Sequence, residues 1–100
     1  MNAYSQPLRF DAGHPALPGH FPGQPLVPGV LLLEQVALAL RAWRGERLAR
    51  VLEAKFVAPL LPDETAQLEL TAHGADASRV GFRIVRDGTL LARGLVEGAA

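Results

Sequence analysis

Two titratable residues stand out by their settings. His20 lies in a stretch where glycines at 13, 19 and 23 alternate with prolines at 15, 18, 22, 25 and 28. That punctuation forbids a helix or an interior strand and demands a fixed loop. Long ordered loops in small domains are often functional. Glu34 lies in the run Val30-Leu31-Leu32-Leu33-Glu34-Gln35-Val36-Ala37-Leu38-Ala39-Leu40, apolar apart from Glu34 and Gln35. A carboxylate is almost never buried without a reason. Burial there would keep a proton on it near neutral pH and would favour a neutral His20. The two would then form an acid beside a base. Gly29 supplies a third element. Backbone N–H groups at a helix N-terminus are unpaired and partly positive. With no Cβ in the way, one of them suits an oxyanion forming on a bound carbonyl.

The elements that must position these residues follow from the pattern. Residues 7–12 alternate weakly and predict a short first strand. A helix should begin near Pro28 or Gly29, since proline is tolerated in a first turn. Gly45 is its stop signal, and Arg41 and Arg44 suit the negative end of the dipole. At about 16 residues the helix would be about 24 Å long, and its near-uniform apolarity predicts a buried central helix. Strands are expected at 51–57, 67–73, 80–86 and 90–96, with Asp87-Gly88 a hairpin turn between the last two. The expected fold is α+β: one domain over residues 1–100, with a curved antiparallel sheet wrapped around one long central helix. Residues 51–57 would offer a free strand edge for pairing across a dimer.

Composition narrows the function. Hydrophobic residues make up 49% of the 100 residues and charged ones 20%, which reads as globular. Ten basic and ten acidic side chains cancel, which disfavours a nucleic-acid partner. With no cysteine there is no disulfide, thiolate metal site or cysteine nucleophile. His14, His20 and His73 lack a convincing complement of further ligands, so no metal is expected. No apolar run approaches the roughly 20 residues of a membrane span. The residues before Pro7 are polar and carry no signal-peptide core, so a cytoplasmic location is the default expectation.

The segment Gly19-His20-Phe21-Pro22-Gly23-Gln24-Pro25-Leu26-Val27-Pro28-Gly29-Val30, followed by Glu34, resembles the signature of bacterial 3-hydroxyacyl-acyl-carrier-protein dehydratases. The resemblance continues more weakly at Ala54-Lys55-Phe56, Pro59 and Pro62-Asp63. It is nearest to the short dehydratase-like proteins found beside aryl-polyene pigment genes. It implies the hot-dog fold, usually a dimer whose sites take histidine from one subunit and the acid from the other. It implies a substrate carried by phosphopantetheine on an acyl carrier protein, no cofactor, and loss of water to give a trans-2-enoyl thioester. On this chain His20 would take the C2 proton, the Gly29 N–H would hold the thioester oxygen, and Glu34 would protonate the leaving hydroxyl. Phe21, Val30 and Leu33 are the candidates by position for lining the acyl channel. The sequence departs from the family at Leu38, where a glutamine is common, while Gln35 directly follows Glu34.

Other readings stand beside this one. A hot-dog thioesterase would use the acidic residue to activate water, although the proline-rich histidine motif argues against it. A non-catalytic hot-dog subunit would pair with an active partner in a heterodimer. Arg41, Arg44, Arg47 and Arg50 form either a basic patch for an acidic carrier protein or a solvated helix end. Trp43 suits core or dimer packing.

Overall fold

A computed structural model describes residues 3–14, 26–74 and 76–100. Strand β1 (Ala3–Arg9) precedes the proline-rich stretch, and helix α1 (Gly29–Arg44) follows it. Four strands complete the chain: β2 (Arg47–Phe56), β3 (Thr65–Ala72), β4 (Arg79–Arg86) and β5 (Thr89–Ala99). They form one sheet in the order β1-β3-β4-β5-β2, every neighbouring pair antiparallel. β1 and β2 are the two edges.

Local chemistry sets the boundaries. Pro28 sits in extended backbone at φ −60° and ψ 144° and opens the helix. Gly45 closes it at φ 69°, a left-handed conformation that costs glycine little, and its N–H bonds the Arg41 carbonyl at 2.8 Å. Asp87 and Gly88 turn the chain from β4 to β5 with φ of 50° and 81°, the paired positive values of a type I′ hairpin. Pro7, which cannot donate to a ladder, lies on the edge strand β1.

Alternation buries one face of the sheet under α1. Ala66, Leu68 and Leu70 of β3, Val80, Phe82 and Ile84 of β4, and Leu91, Ala92 and Val96 of β5 are buried. The register sets Leu68 against Ile84, Leu70 against Phe82, and Val80 against Val96. From the helix, Leu32, Val36, Ala39 and Leu40 complete this core. The curved antiparallel sheet around one central helix is the hot-dog fold expected from the sequence.

One expectation is corrected. The helix is not buried all round within this chain. Val30, Glu34 and Leu38, spaced four apart, share an exposed face; Val30 is 68% and Leu38 56% exposed. One helix presents only one stripe to one sheet, whatever the apolarity of its other side. β2 is similarly open. Val51 and Phe56 pair with the buried residues Val96 and Ala92 of β5, yet both remain exposed because no strand among the described residues lies beyond β2.

β2 is also irregular. Its ladder with β5 shifts register between Leu48 and Arg50 and again between Val51 and Glu53, which strengthens local twist. Gly94 faces the second shift. A Cβ there would meet the Glu53 carbonyl oxygen and the edge of the Phe82 ring. The Glu53 oxygen is backbone and cannot swing aside. Gly94→Ala should therefore destabilise the fold by about 2 kcal/mol or more. The check is the denaturant midpoint, which should fall with an unchanged slope; an unmoved midpoint would mean that β2 and β5 do not approach this closely.

Candidate active site

The helix start and the end of β2 meet at an apolar cleft. It measures about 370 Å³ and is lined by residues that include Val27, Gly29, Leu32, Phe56, Pro59 and Leu60. The Val27 N–H donates to the Leu60 carbonyl at 2.9 Å, which fixes the entry of the chain into α1. At the first turn the Pro28 carbonyl accepts from the Leu31 N–H at 3.0 Å. The N–H groups of Gly29 and Val30 have no acceptor among the described residues. No acidic side chain lies in that turn, so the positive end of the helix dipole stays uncompensated. Gly29 itself lies under the Phe56 ring, where an added Cβ would stand 2.9 to 3.2 Å from three ring carbons. The cleft thus combines greasy walls with oriented backbone donors, a setting suited to a carbonyl oxygen that gains charge.

Glu34 lies elsewhere on the same helix. Five residues beyond Gly29, it is turned about 140° around the axis. Its side chain is exposed on the outer face between Val30 and Leu38, and it does not line the cleft. The burial expected for this carboxylate is absent within one chain, because α1 turns only its opposite face to the sheet. Val30 shares that outer face. Leu33 is half-buried and packs against the core, and neither residue is part of the cleft lining. His20 and Phe21 lie outside the described residues. The structure therefore brings Gly29 to the cleft and leaves Glu34 facing outward.

Sequence reasoning missed Phe56, Leu32 and Pro59 as cleft residues. Phe56 ends a strand that reads as an ordinary edge, and only the fold carries it back over Gly29.

Of the other candidates, Arg44 and Arg50 make defined contacts. Arg44 donates to the Ala77 carbonyl at 2.8 Å and lies 4.2 Å over the Trp43 ring, which itself stacks on Tyr4. Arg50 pairs with Glu97 at 3.4 Å. Arg41 and Arg47 are exposed and form no ion pair among the described residues. His14 sets its ring edge-on to Phe10 at 5.3 Å, and His73 is exposed. Among the described residues no cluster of three potential ligands forms a metal site, and no helix is long and apolar enough to cross a membrane.

Residues 2–95 match the ApeI-like family, described as ApeI dehydratase. The chain is 38% identical over 66 residues to the 3-hydroxyacyl-acyl-carrier-protein dehydratase FabZ of Haemophilus influenzae, a match that takes in 56% of this chain and 45% of that protein. It thus spans less than half the length of the curated relatives it matches. A solved structure of the dehydratase heterocomplex ApeI:P from Xenorhabdus doucetiae superposes with a TM-score of 0.86 at 25% identity, covering 99% of this chain and 88% of that one. A 1,4-dihydroxy-2-naphthoyl-CoA thioesterase from Synechocystis shares the fold, with a TM-score of 0.73 at 18% identity over 98% of this chain and 81% of that one.

The contact between Gly29 and Phe56 is open to a double-mutant cycle. Gly29→Ala must push the ring aside, at a cost of about 1–3 kcal/mol. In a Phe56→Leu background, where the ring is gone, most of that cost should disappear. Equal costs in both backgrounds, measured by urea denaturation, would show that the ring does not rest on Gly29.

Proposed function

The chain belongs to the ApeI-like dehydratase family, and from that premise we propose that it removes water from 3-hydroxyacyl thioesters in the cytoplasm. The substrate would be carried by phosphopantetheine on an acyl carrier protein. His20 takes a proton from C2. Charge moves onto the thioester oxygen, where the Gly29 N–H receives it. The bond from C3 to its hydroxyl breaks as Glu34 supplies a proton, so that water leaves and a trans-2,3 double bond remains. The step balances without an oxidant or reductant: the C2–H and C3–O bonds break, the double bond forms, and the hydroxyl leaves as water with the proton from Glu34. Phe21, Val30 and Leu33 would contact the acyl chain, joined by Phe56 of the cleft.

The observation that carries this reading is the division of α1 between two faces. Its N-terminus opens Gly29 onto an apolar cleft, while Glu34 points away from that cleft between two exposed apolar residues. A carboxylate placed so cannot serve the cleft of its own chain. It can serve the cleft of a second hot-dog chain laid against the exposed face of α1 and the edge of β2. Burial in that interface would supply the apolar setting that Glu34 lacks alone.

A second reading has its own support. Leu38 stands where the family commonly has glutamine, and the similar Xenorhabdus doucetiae structure is a heterocomplex. The second chain would then be a different and active hot-dog subunit, with this one its non-catalytic partner.

The test is reversible hydration of crotonyl thioesters on carrier protein and on CoA, followed by absorbance, with free thiol measured alongside. His20→Ala and Glu34→Ala should each lower the rate by about 10²–10⁴-fold. Mixing the two inactive variants should restore part of the activity, since one site of a mixed dimer keeps both groups. No recovery on mixing would place both groups in one chain. A folded but silent wild type would favour the heteromeric reading, and thiol release would indicate a thioesterase.

A further inference from the structure

Val57, Ala58, Pro59 and Leu60 line the cleft and belong to the turn between β2 and β3. Pro59 and Pro62 have no N–H, so the backbone of this turn can do little to hold its own shape. Its ends are tied to fixed neighbours instead. The Val57 and Ala58 N–H groups both donate to the Leu91 carbonyl of β5, at 2.8 and 3.1 Å. At the other end the Asp63 N–H donates to the Phe10 carbonyl at 2.7 Å, and the Asp63 carboxylate accepts from the Ala12 N–H at 3.1 Å.

Between these ends the turn is clamped from β4. One guanidinium nitrogen of Arg86, Nη1, donates to the Pro59 carbonyl at 3.1 Å and to the Glu64 carboxylate at 2.8 Å. The same Glu64 oxygen accepts from the Leu61 N–H at 2.9 Å. A single nitrogen thus joins the start of the turn to its end. The side chains of Arg86 and Glu64 are 26% and 34% exposed. In each other ion pair among the described residues at least one side chain is more than half exposed, so this charge-assisted contact is the one best sheltered from water. What it holds reaches the helix at two points. The Leu60 carbonyl, next after Pro59, accepts from the Val27 N–H at 2.9 Å, two residues before Gly29. Phe56, just ahead of the turn, lays its ring over Gly29.

We propose that Arg86 is a positioning residue for the Gly29 N–H. By clamping Pro59 it fixes the Leu60 carbonyl, and with it the entry of the chain into α1. This inference rests on the reading of Gly29 as the donor to the thioester oxygen. A misplacement of about 1 Å can cost a catalytic step about 10²-fold.

Four variants separate positioning from stability. Arg86→Met removes both donated bonds and keeps the bulk of the stem. Arg86→Gln, a milder change, decides the question should the methionine variant fail to fold. Arg86→Lys keeps a cation whose single nitrogen can donate twice, as Nη1 does. Arg83→Met is the control: it removes an arginine of the same strand that pairs with Glu69 at 3.6 Å on the exposed surface.

Two readouts are taken on the full chain. One is the steady-state hydration of crotonyl thioester. The other is the amide resonances of Val27 and Gly29 by NMR, with Gly45 beyond the far end of α1 as reference. Arg86→Met should shift the Val27 and Gly29 resonances, leave that of Gly45 in place, and lower kcat by about 10–100-fold with KM unchanged. Arg86→Lys should bring both readouts back toward wild type, and Arg83→Met should move neither. Unmoved Val27 and Gly29 resonances in Arg86→Met would overturn the proposal. So would shifted resonances with kcat intact, or an equal loss of kcat in Arg83→Met. A wild type without dehydratase activity would refute the proposed function instead, and the amide resonances would still decide whether Arg86 sets the place of Gly29.

Discussion

A five-stranded sheet is wider than one helix. Four strand spacings take up about 19 Å, against a helix about 10–12 Å across with its side chains. Helix α1 leaves part of the sheet face uncovered, chiefly along β2. Leu68, Leu70, Val80, Phe82, Ile84 and Val96 lie under it and are buried. β2, at the edge, keeps Val51 and Phe56 in the open although both face the same way as the core. Curvature narrows the gap without closing it. The register shifts in β2 and the glycine at position 94 let the edge curl toward the helix, and the end of β2 arrives over Gly29.

The candidate site is a product of that shortfall. Where a wider layer of helices would fill the space beside the α1 N-terminus, this fold leaves a cleft, with backbone donors at its margin that have no acceptor among the described residues. The outer face of α1 has no cover either, and there Glu34 stands between Val30 and Leu38. Under the proposed function the two vacancies are complementary: what one chain lacks beside its cleft, a second chain carries on its helix. The chemistry then depends on geometry between chains as much as within one.

Local signals were legible in the sequence. Pro28 and Gly45 bound the helix because each acts on its own backbone, and Asp87-Gly88 marks its hairpin for the same reason. Strands β3, β4 and β5 fall close to the stretches 67–73, 80–86 and 90–96 whose pattern predicted them. The start of β2 at Arg47, ahead of the expected residue 51, was hidden because its register shifts break the period of two. The exposure of Val30, Glu34 and Leu38 was hidden because an apolar run does not say what covers it. β1 covers Ala3–Arg9 and not 7–12 because pairing with β3, a distant partner, fixes its extent. Of the candidate site, Gly29 lines the cleft and Glu34 faces away from it. The Phe56 ring over Gly29 and the reach of Asp63 to Ala12 join residues far apart in sequence, and no local pattern encodes either.

The irregular edge of β2 has a consequence for how the chain comes into being. β2 is made before β3 and β4, yet its partner in the sheet among the described residues is β5, which is made after both. Until β5 emerges, β2 lacks that partner and is the kind of segment that recruits copies of itself. Its outward row carries Arg47, Arg50 and Lys55 with Glu53, and its two register shifts keep it from lying flat. Stacked copies would set cation near cation along a kinked ladder. The strand is therefore guarded against premature association by the same bends that later let it close over the helix.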